Sequence, residues 1–442
     1  MRRPSPTRAT IRRSCVAAGI IAGAGGVSAV FAQNQTGPVI TGTISQQFEA
    51  DSNLRLDDET EGTSYFAETR LGLGYLSETG TQVFALGLDT GVRALWEAGE
   101  DFEFVAASPS TAQISYGREW SDSSFETYAT YRQRQVDFDR VFVDFDPDSG
   151  LPDTIERVSG NAIERRYDGG FDIQLATDAP SSYYLTFDAT HFDYSEDTDN
   201  RVPRTSYIGE LGWELEVTPL LSTAVLGSYY FYTADDEEET EITVAEFDAG
   251  VIYHPSDNLR LGFGIGYADR HREETIGGNR VTTEDEQGPT ARATVNYAFE
   301  DFTIVGTGRI TAAAPETRGS GDLRVIYPLP NGRINARVFQ RYTGDSDGDE
   351  VRVTGAGFGL LHDINSVSSL SVDFAVARQE NQDDPAQADI DRFDATAVYT
   401  YEFTEVVSAD VGYRFRSRKQ DPADAQSNAV FFQIGRTFET LP

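Results

Sequence analysis

Alternation is the dominant pattern in this chain. From about residue 39 onward, segments of roughly ten to fourteen residues place apolar and polar side chains on successive positions, break, and resume. Leu71, Leu73 and Tyr75 alternate with Gly72 and Gly74. Phe84, Leu86, Leu88, Val92, Ala94 and Trp96 alternate with Ala85, Gly87, Asp89, Gly91 and Arg93. Leu370, Val372, Phe374 and Val376 alternate with Ser371, Asp373 and Ala375, and Val407, Ala409, Val411, Tyr413 and Phe415 with Ser408, Asp410, Gly412 and Arg414. A period of two is the signature of a strand, and no segment after Gln33 carries the 3.6-residue period of an amphipathic helix.

The breaks fall into two classes that alternate. Tight ones centre on Glu78-Thr79-Gly80, Ser121-Asp122-Ser123, Asp178-Ala179-Pro180, Thr218-Pro219, Pro255-Ser256-Asp257, Glu300-Asp301, Pro330-Asn331-Gly332, Asp363-Ile364-Asn365 and Phe403-Thr404-Glu405. Roughly ten longer, acidic ones alternate with these, among them 51–63, 97–109, 139–162, 195–204, 235–241, 344–350 and 380–391. Short turns at one end and long loops at the other predict an all-β fold. It is a transmembrane, antiparallel, up-and-down β-barrel with short periplasmic turns and long acidic extracellular loops. The count of breaks gives about 20 strands, with 18 or 22 as the neighbouring alternatives. A soluble propeller or β-helix also alternates, but does not sort its connections by parity.

Composition fits that reading. The 442 residues include 36 basic and 72 acidic ones, a formal charge of −36, with 27 Phe and 21 Tyr. The mean hydropathy of −0.41 excludes a bundle of spanning helices. A barrel stays polar overall because only the lipid-facing alternate of each strand is apolar. Such acidity argues against nucleic acid as a partner. Aromatic residues near strand ends (Tyr65, Phe66, Trp96, Trp120, Tyr183, Tyr184, Phe403 and Phe438) are expected in interfacial girdles.

The N-terminus carries Arg2, Arg3, Arg8, Arg12 and Arg13, then a small, apolar run from Cys15 that closes on Val30-Phe31-Ala32. Residues 1–32 are therefore expected to be a cleaved secretory signal peptide, leaving 33–442 as the barrel. Its removal takes five arginines, the one cysteine and the one methionine, leaving 31 bases against 72 acids, or −41. A chain exported in this way is bound for the outer membrane of a Gram-negative bacterium. Its surroundings there are lipid and lipopolysaccharide, and its assembly depends on the barrel-assembly machinery. In the last segment Gln433, Gly435 and Phe438 resemble a terminal-strand assembly signal: a polar residue, a glycine two on, and an aromatic three beyond it.

Catalytic signals are sparse. His191, His254, His271 and His362 have no metal-ligand spacing, and no Gly-x-Ser-x-Gly elbow occurs. No enzyme activity and no resident cofactor are expected. Glycine runs such as Gly262-Phe263-Gly264-Ile265-Gly266 and Gly355-Ala356-Gly357-Phe358-Gly359 lack the Gly-Lys-Ser/Thr of a phosphate loop and read as alternate strand positions. Asp144, Asp146 and Asp148, and likewise Asp345, Asp347 and Asp349, place carboxylates on every second residue, making them candidate loop sites for Ca²⁺ or Mg²⁺. A solvated acidic loop explains the same residues.

With the apolar alternates turned to lipid, the opposite faces would line a lumen. The candidate basic lining is Arg93, Arg118, Arg166, Arg292, Arg309, Arg324, Arg337, Arg341, Arg414 and Arg416. The candidate acidic lining is Asp89, Asp168, Asp172, Glu210, Glu214, Glu246, Asp248, Asp373, Asp394 and Asp410. Two readings stay open: a pore that sorts solutes by charge, or a ladder of ion pairs that fills the barrel and does not conduct. Arginine suits acidic saccharide as well as small ions, since it binds carboxylates bidentately.

The opening Ser45-Gln46-Gln47-Phe48-Glu49-Ala50-Asp51-Ser52-Asn53-Leu54-Arg55-Leu56 resembles the first hairpin of the β-barrel porin type 2 family. Leu71-Gly72-Leu73-Gly74-Tyr75 onward, through Gly80 to Asp89, resembles the next. The resemblance covers about the first quarter of the chain by motif. It implies a Gram-negative outer-membrane porin passing small hydrophilic solutes or saccharides. Several members are encoded near exopolysaccharide-export genes, which implies a polysaccharide partner, and no catalytic residue is carried over.

Overall fold

A computed structural model describes residues 38–56, 62–99, 102–135, 145–146, 151–152, 163–195, 202–236, 238–276, 279–299, 301–312, 317–344, 350–382, 388–420 and 423–440. The expected signal peptide lies outside them. Every regular element among the described residues is a strand. The first five are β1 (Pro38–Asp51), β2 (Ser64–Glu78), β3 (Gln82–Trp96), β4 (Glu103–Glu119) and β5 (Ser123–Gln135). A two-residue ladder, β6 (Phe145–Asp146) with β7 (Leu151–Pro152), lies between β5 and β8 (Ile163–Leu175). Then come β9 (Ser181–Tyr194), β10 (Arg204–Thr218), β11 (Leu221–Ala234), β12 (Glu241–Ser256), β13 (Leu259–Ile276) and β14 (Asn279–Ala298). The wall continues through β15 (Thr303–Ala312), β16 (Thr317–Leu329), β17 (Gly332–Gly344), β18 (Glu350–Asn365) and β19 (Ser368–Asn381). It ends with β20 (Ile390–Thr404), β21 (Val407–Gln420) and β22 (Ala423–Thr440).

Apart from β6 and β7 these form one 20-stranded sheet in which each strand pairs antiparallel with its sequence neighbour. The sheet closes because β22 returns to β1, with Thr440 opposite Ile40 and Ala429 opposite Asp51. Closure removes both edges, so backbone groups along the wall are paired without solvent. All nine expected tight turns fall at one end. At the other end the connections are uneven. Only residues 277–278 separate β13 from β14, 313–316 separate β15 from β16, and 421–422 separate β21 from β22. Strands β13 and β14 run on for 18 and 20 residues. β14 meets β15 only from Thr290 to Ala298, while β13 stays paired with β12 as far as Glu273, so only the tip of their hairpin extends past both neighbours.

Strand parity assigns each side chain to one wall. Ile40, Ile44 and Phe48 of β1, Phe263 and Ile265 of β13, and Val430, Phe432 and Ile434 of β22 all lie exposed on the outside, Ile265 at 75%. The intervening residues carry most of the charge and point inward. The apolar layer is therefore on the surface and the ionic layer inside, the reverse of a soluble domain. Tyr65, Trp96, Trp120, Tyr183, Phe403 and Phe438 are exposed as expected. Phe66 and Tyr184 correct the girdle assignment. Each follows an outward aromatic in a strand, so its own ring turns inward; Phe66 is buried with Leu54 and Leu95. From β12 to β19 the outer wall is concave, a groove of about 1550 Å³ where Ala291, Ala293, Gly308, Gly319 and Gly321 leave little side-chain bulk.

Candidate functional site: the charged lumen

The inward face collects nearly every predicted lining residue. Register places Asp89 and Arg93 of β3, Arg166, Asp168 and Asp172 of β8, and Glu210 and Glu214 of β10 on it. Arg292, Arg309, Arg324, Arg337 and Arg341 follow on β14 to β17, and Asp373, Asp394, Asp410, Arg414 and Arg416 on β19 to β21. Arg118 is the exception. It pairs with Gln82 on the outward alternate that holds Ile114 and Tyr116, and its guanidinium lies 4.9 Å from the Trp120 ring centre near a tight turn. The same alternation was visible in the sequence and places Arg118 outside.

Two regions of the lumen differ in character. Around β21, β22 and β1 it is filled. Arg416 (3% exposed) reaches over β22 to Asp51 (0% exposed) at 2.8 Å, and also donates to Ser427 Oγ at 3.1 Å and the Leu54 carbonyl at 3.2 Å. Arg414 pairs with Glu49 at 3.0 Å. Beside them Arg93 donates to Glu68 at 2.8 Å and lies over the Phe66 ring. Leu54 follows β1 in a segment expected to be a solvated loop, yet it packs inward against Phe66 and Leu95. Its apolar side chain in an acidic stretch is the signal that sequence reading passed over.

From β8 to β17 the lining is segregated. Strands β8 to β12 contribute Asp168, Asp172, Asp188, Glu210, Glu246 and Asp248, whereas β13 to β17 contribute mainly arginines. Neighbouring strands are about 4.8 Å apart, so β12 and β15 are separated by about 14 Å along the wall. Arg309 of β15 nonetheless pairs with Glu246 of β12, a contact that closes only across the inner face. Arg292 reaches Asp248 at 3.3 Å, Arg260 reaches Glu214 at 2.5 Å, and Arg337 pairs with Asp322. Arg166 holds Asp168 at 2.8 Å. Other carboxylates take neutral donors: Gln174 at 3.0 Å for Asp172, Ser371 at 3.1 Å for Asp373, Thr396 at 3.3 Å for Asp394, and Thr400 at 2.7 Å for Asp410. Arg324 lies opposite Arg337 in the register, and Arg341 covers the Phe339 ring.

Between the two walls lies a cavity of about 410 Å³ lined by Glu210, Tyr230, Ile242, Glu246, Arg309 and Arg341, among others. On the inner face, a Cβ on Gly266 would collide with the Phe247 carbonyl and with Asp248 of the neighbouring strand. The glycine runs are thus inward alternates, as their spacing predicted.

Elsewhere the chemistry is ionic. Ser222, His254 and Glu214 cluster near a tight turn, but Ser222 Oγ at 3.5 Å and Glu214 at 3.9 Å both approach His254 Nε2. A hydrolytic triad requires serine and carboxylate on opposite ring nitrogens. Between β13 and β14, where β13 is still paired with β12, His271 lies 3.2 Å from Asp269 and 3.4 Å from Asp285. Those three ligand atoms fall within 4.8 Å of one another, a grouping made by cross-strand register and invisible in linear spacing. Of the loop carboxylates, Asp144, Asp148, Asp345, Asp347 and Asp349 lie outside the described residues, and for Asp146 only the backbone in β6 is described. In β22, Gln433 and Gly435 face inward and Phe438 outward.

No family model and no curated protein matches the chain, and the likeness of its first two hairpins to the β-barrel porin type 2 family remains a resemblance. Similar solved structures include the ferric-catecholate import receptor Fiu from E. coli K12, at 9% identity and TM-score 0.44, covering 90% of this chain and 81% of that one. The siderophore receptor PiuA from Acinetobacter baumannii is 8% identical at TM-score 0.46, covering 91% and 82%. OccAB2 from Acinetobacter baumannii is 9% identical at TM-score 0.37, covering 91% of this chain and 98% of that one.

Proposed function

We propose that the protein is an outer-membrane channel through which small hydrophilic solutes or saccharides diffuse passively. The observation that carries this reading is the inversion of its faces: a closed wall with exposed Ile, Phe and Leu outside and charge within. Charged side chains at these depths are tolerated only toward water or a partner, and the cavity between the acidic and basic walls provides the aqueous side. Transport, not catalysis, is the role this lumen supports.

The filled region around Arg416, Phe66 and Leu95 favours a second reading, a structural or binding barrel that does not conduct. In either case the acidic loops would meet lipopolysaccharide through Ca²⁺ or Mg²⁺ that screens their charge. Gln433, Gly435 and Phe438 would address the chain to the assembly machinery. A link to exopolysaccharide export rests on the family resemblance alone. Liposome swelling separates the two main readings. A channel admits a monosaccharide at a rate that falls as sugar size increases, whereas a filled barrel leaves liposomes no more permeable than lipid alone.

A further inference from the structure

The geometry points to a binding site for a divalent transition-metal cation of the zinc class, held by Asp269, His271 and Asp285 on the outer wall. The residues sit on facing strands, with His271 of β13 directly opposite Asp285 of β14. Alternation on β13 turns Phe263, Ile265 and Tyr267 outward, and Asp269 and His271 continue that face beyond Tyr267. Apolar side chains thus give way to ligands toward the 277–278 connection, at the end opposite the tight turns. On the other flank β12 places only Ala245 and Thr243 opposite Asp269 and His271, so the approach is not crowded by long side chains. The site stands whether or not the lumen conducts.

Charge on this patch favours a cation. Arg270 and Arg272 alternate to the inner face, where Arg270 lines the cavity and Arg272 pairs with Glu274 at 2.7 Å. Arg280, nearer the hairpin tip, is shared between Glu241 and Glu273, the latter at 3.0 Å. With Asp269 and Asp285 beside those two glutamates, carboxylate outnumbers guanidinium on the patch. Asp269 shows the demand most plainly. Its Oδ1 is withdrawn from water and receives no hydrogen bond among the described residues, although His271 Nε2 lies 3.2 Å away. A shielded carboxylate oxygen without a donor is costly, and a cation removes that cost. Asp285 is already oriented: Gln287 donates to its Oδ1 at 3.3 Å, and the Tyr267 hydroxyl donates to Gln287 at 2.9 Å. Outer hydrogen bonds of this kind fix the direction of a metal ligand.

The donor set decides between cations. Ca²⁺ and Mg²⁺ gather oxygens alone, whereas an imidazole nitrogen suits Zn²⁺, Cu²⁺ or Ni²⁺. The three ligand atoms lie within 4.8 Å of one another. Tetrahedral zinc spaces its ligands about 3.3 Å apart, so rotation of three part-exposed side chains brings them together. One ring nitrogen would ligate, and water would take the remaining position.

Calorimetric titration of the refolded, chelator-stripped barrel with zinc chloride, in excess magnesium chloride, tests this. Zn²⁺ should bind saturably at one site despite the magnesium, which satisfies the acidic loops. His271→Ala and Asp285→Asn should each lower zinc affinity by at least about tenfold, while His362→Ala, beside a tight turn at the far end, changes nothing. His271→Cys, which supplies a thiolate ligand instead, should recover part of what His271→Ala loses. Absent zinc binding, binding abolished by magnesium, or binding that His271→Ala leaves intact overturns the site. X-ray absorption at the zinc edge of the wild-type barrel decides even if a variant fails to refold. The scattering pattern of one imidazole with neighbours at about 2.0–2.2 Å supports the site, and a shell of oxygen alone overturns it.

Discussion

At single residues, the fold depends on a few positions where chemistry allows little choice. Gly332 closes the turn between β16 and β17 at φ +145°, a conformation open essentially to glycine, and a Cβ there would strike the Leu361 carbonyl. Gly332→Ala should cost about 1–3 kcal/mol. It would be read as a lower midpoint for the loss of the compact gel band on heating. Arg416 is the inward counterpart: its removal strands Asp51 without its cation. Arg416→Ala should cost about 3–5 kcal/mol, whereas Arg416→Met with Asp51→Leu should recover much of the loss. Arg118→Ala removes only an exposed contact to Trp120 and should cost about 0.5–1 kcal/mol, with ion selectivity unchanged. A large selectivity change on Arg118→Ala would place that side chain in the lumen after all.

Elements show what a single sequence can and cannot disclose. Nine tight turns were legible because Asp, Asn, Gly and Pro interrupt a period of two, and each interruption is local. Facing was legible for the same reason; one apolar alternate fixes all its neighbours. Arg118 went astray only because the alternation through Ile114 and Tyr116 was not followed to its end. What stayed hidden depends on pairs far apart in the chain. Arg416 meets Asp51 and Arg309 meets Glu246 only after the sheet has closed and curved. The inward packing of Leu54 and the projecting tip of β13–β14 likewise depend on neighbours, not on local propensity. The two ends of the barrel can be told apart directly. An epitope inserted between Ile276 and Asn279 should be labelled on intact cells, and one at Thr79-Gly80-Thr81 only after the outer membrane is opened. The opposite pattern would invert the assigned orientation.

Over the whole molecule, function turns on the balance between a packed region and an open one. Ion pairs around β21, β22 and β1 stiffen the barrel and exclude water, and the segregated walls from β8 to β17 leave space and a field across it. Reversing one arginine on that field should alter transport: Arg309→Glu places a carboxylate beside Glu246 and should shift the reversal potential under a salt gradient toward cations. The most direct test of the account is single-channel recording of the refolded mature chain in a planar bilayer. The account predicts steady ohmic steps carried by an aqueous lumen. A barrel that is folded and heat-modifiable yet electrically silent would contradict it and leave the filled, structural barrel.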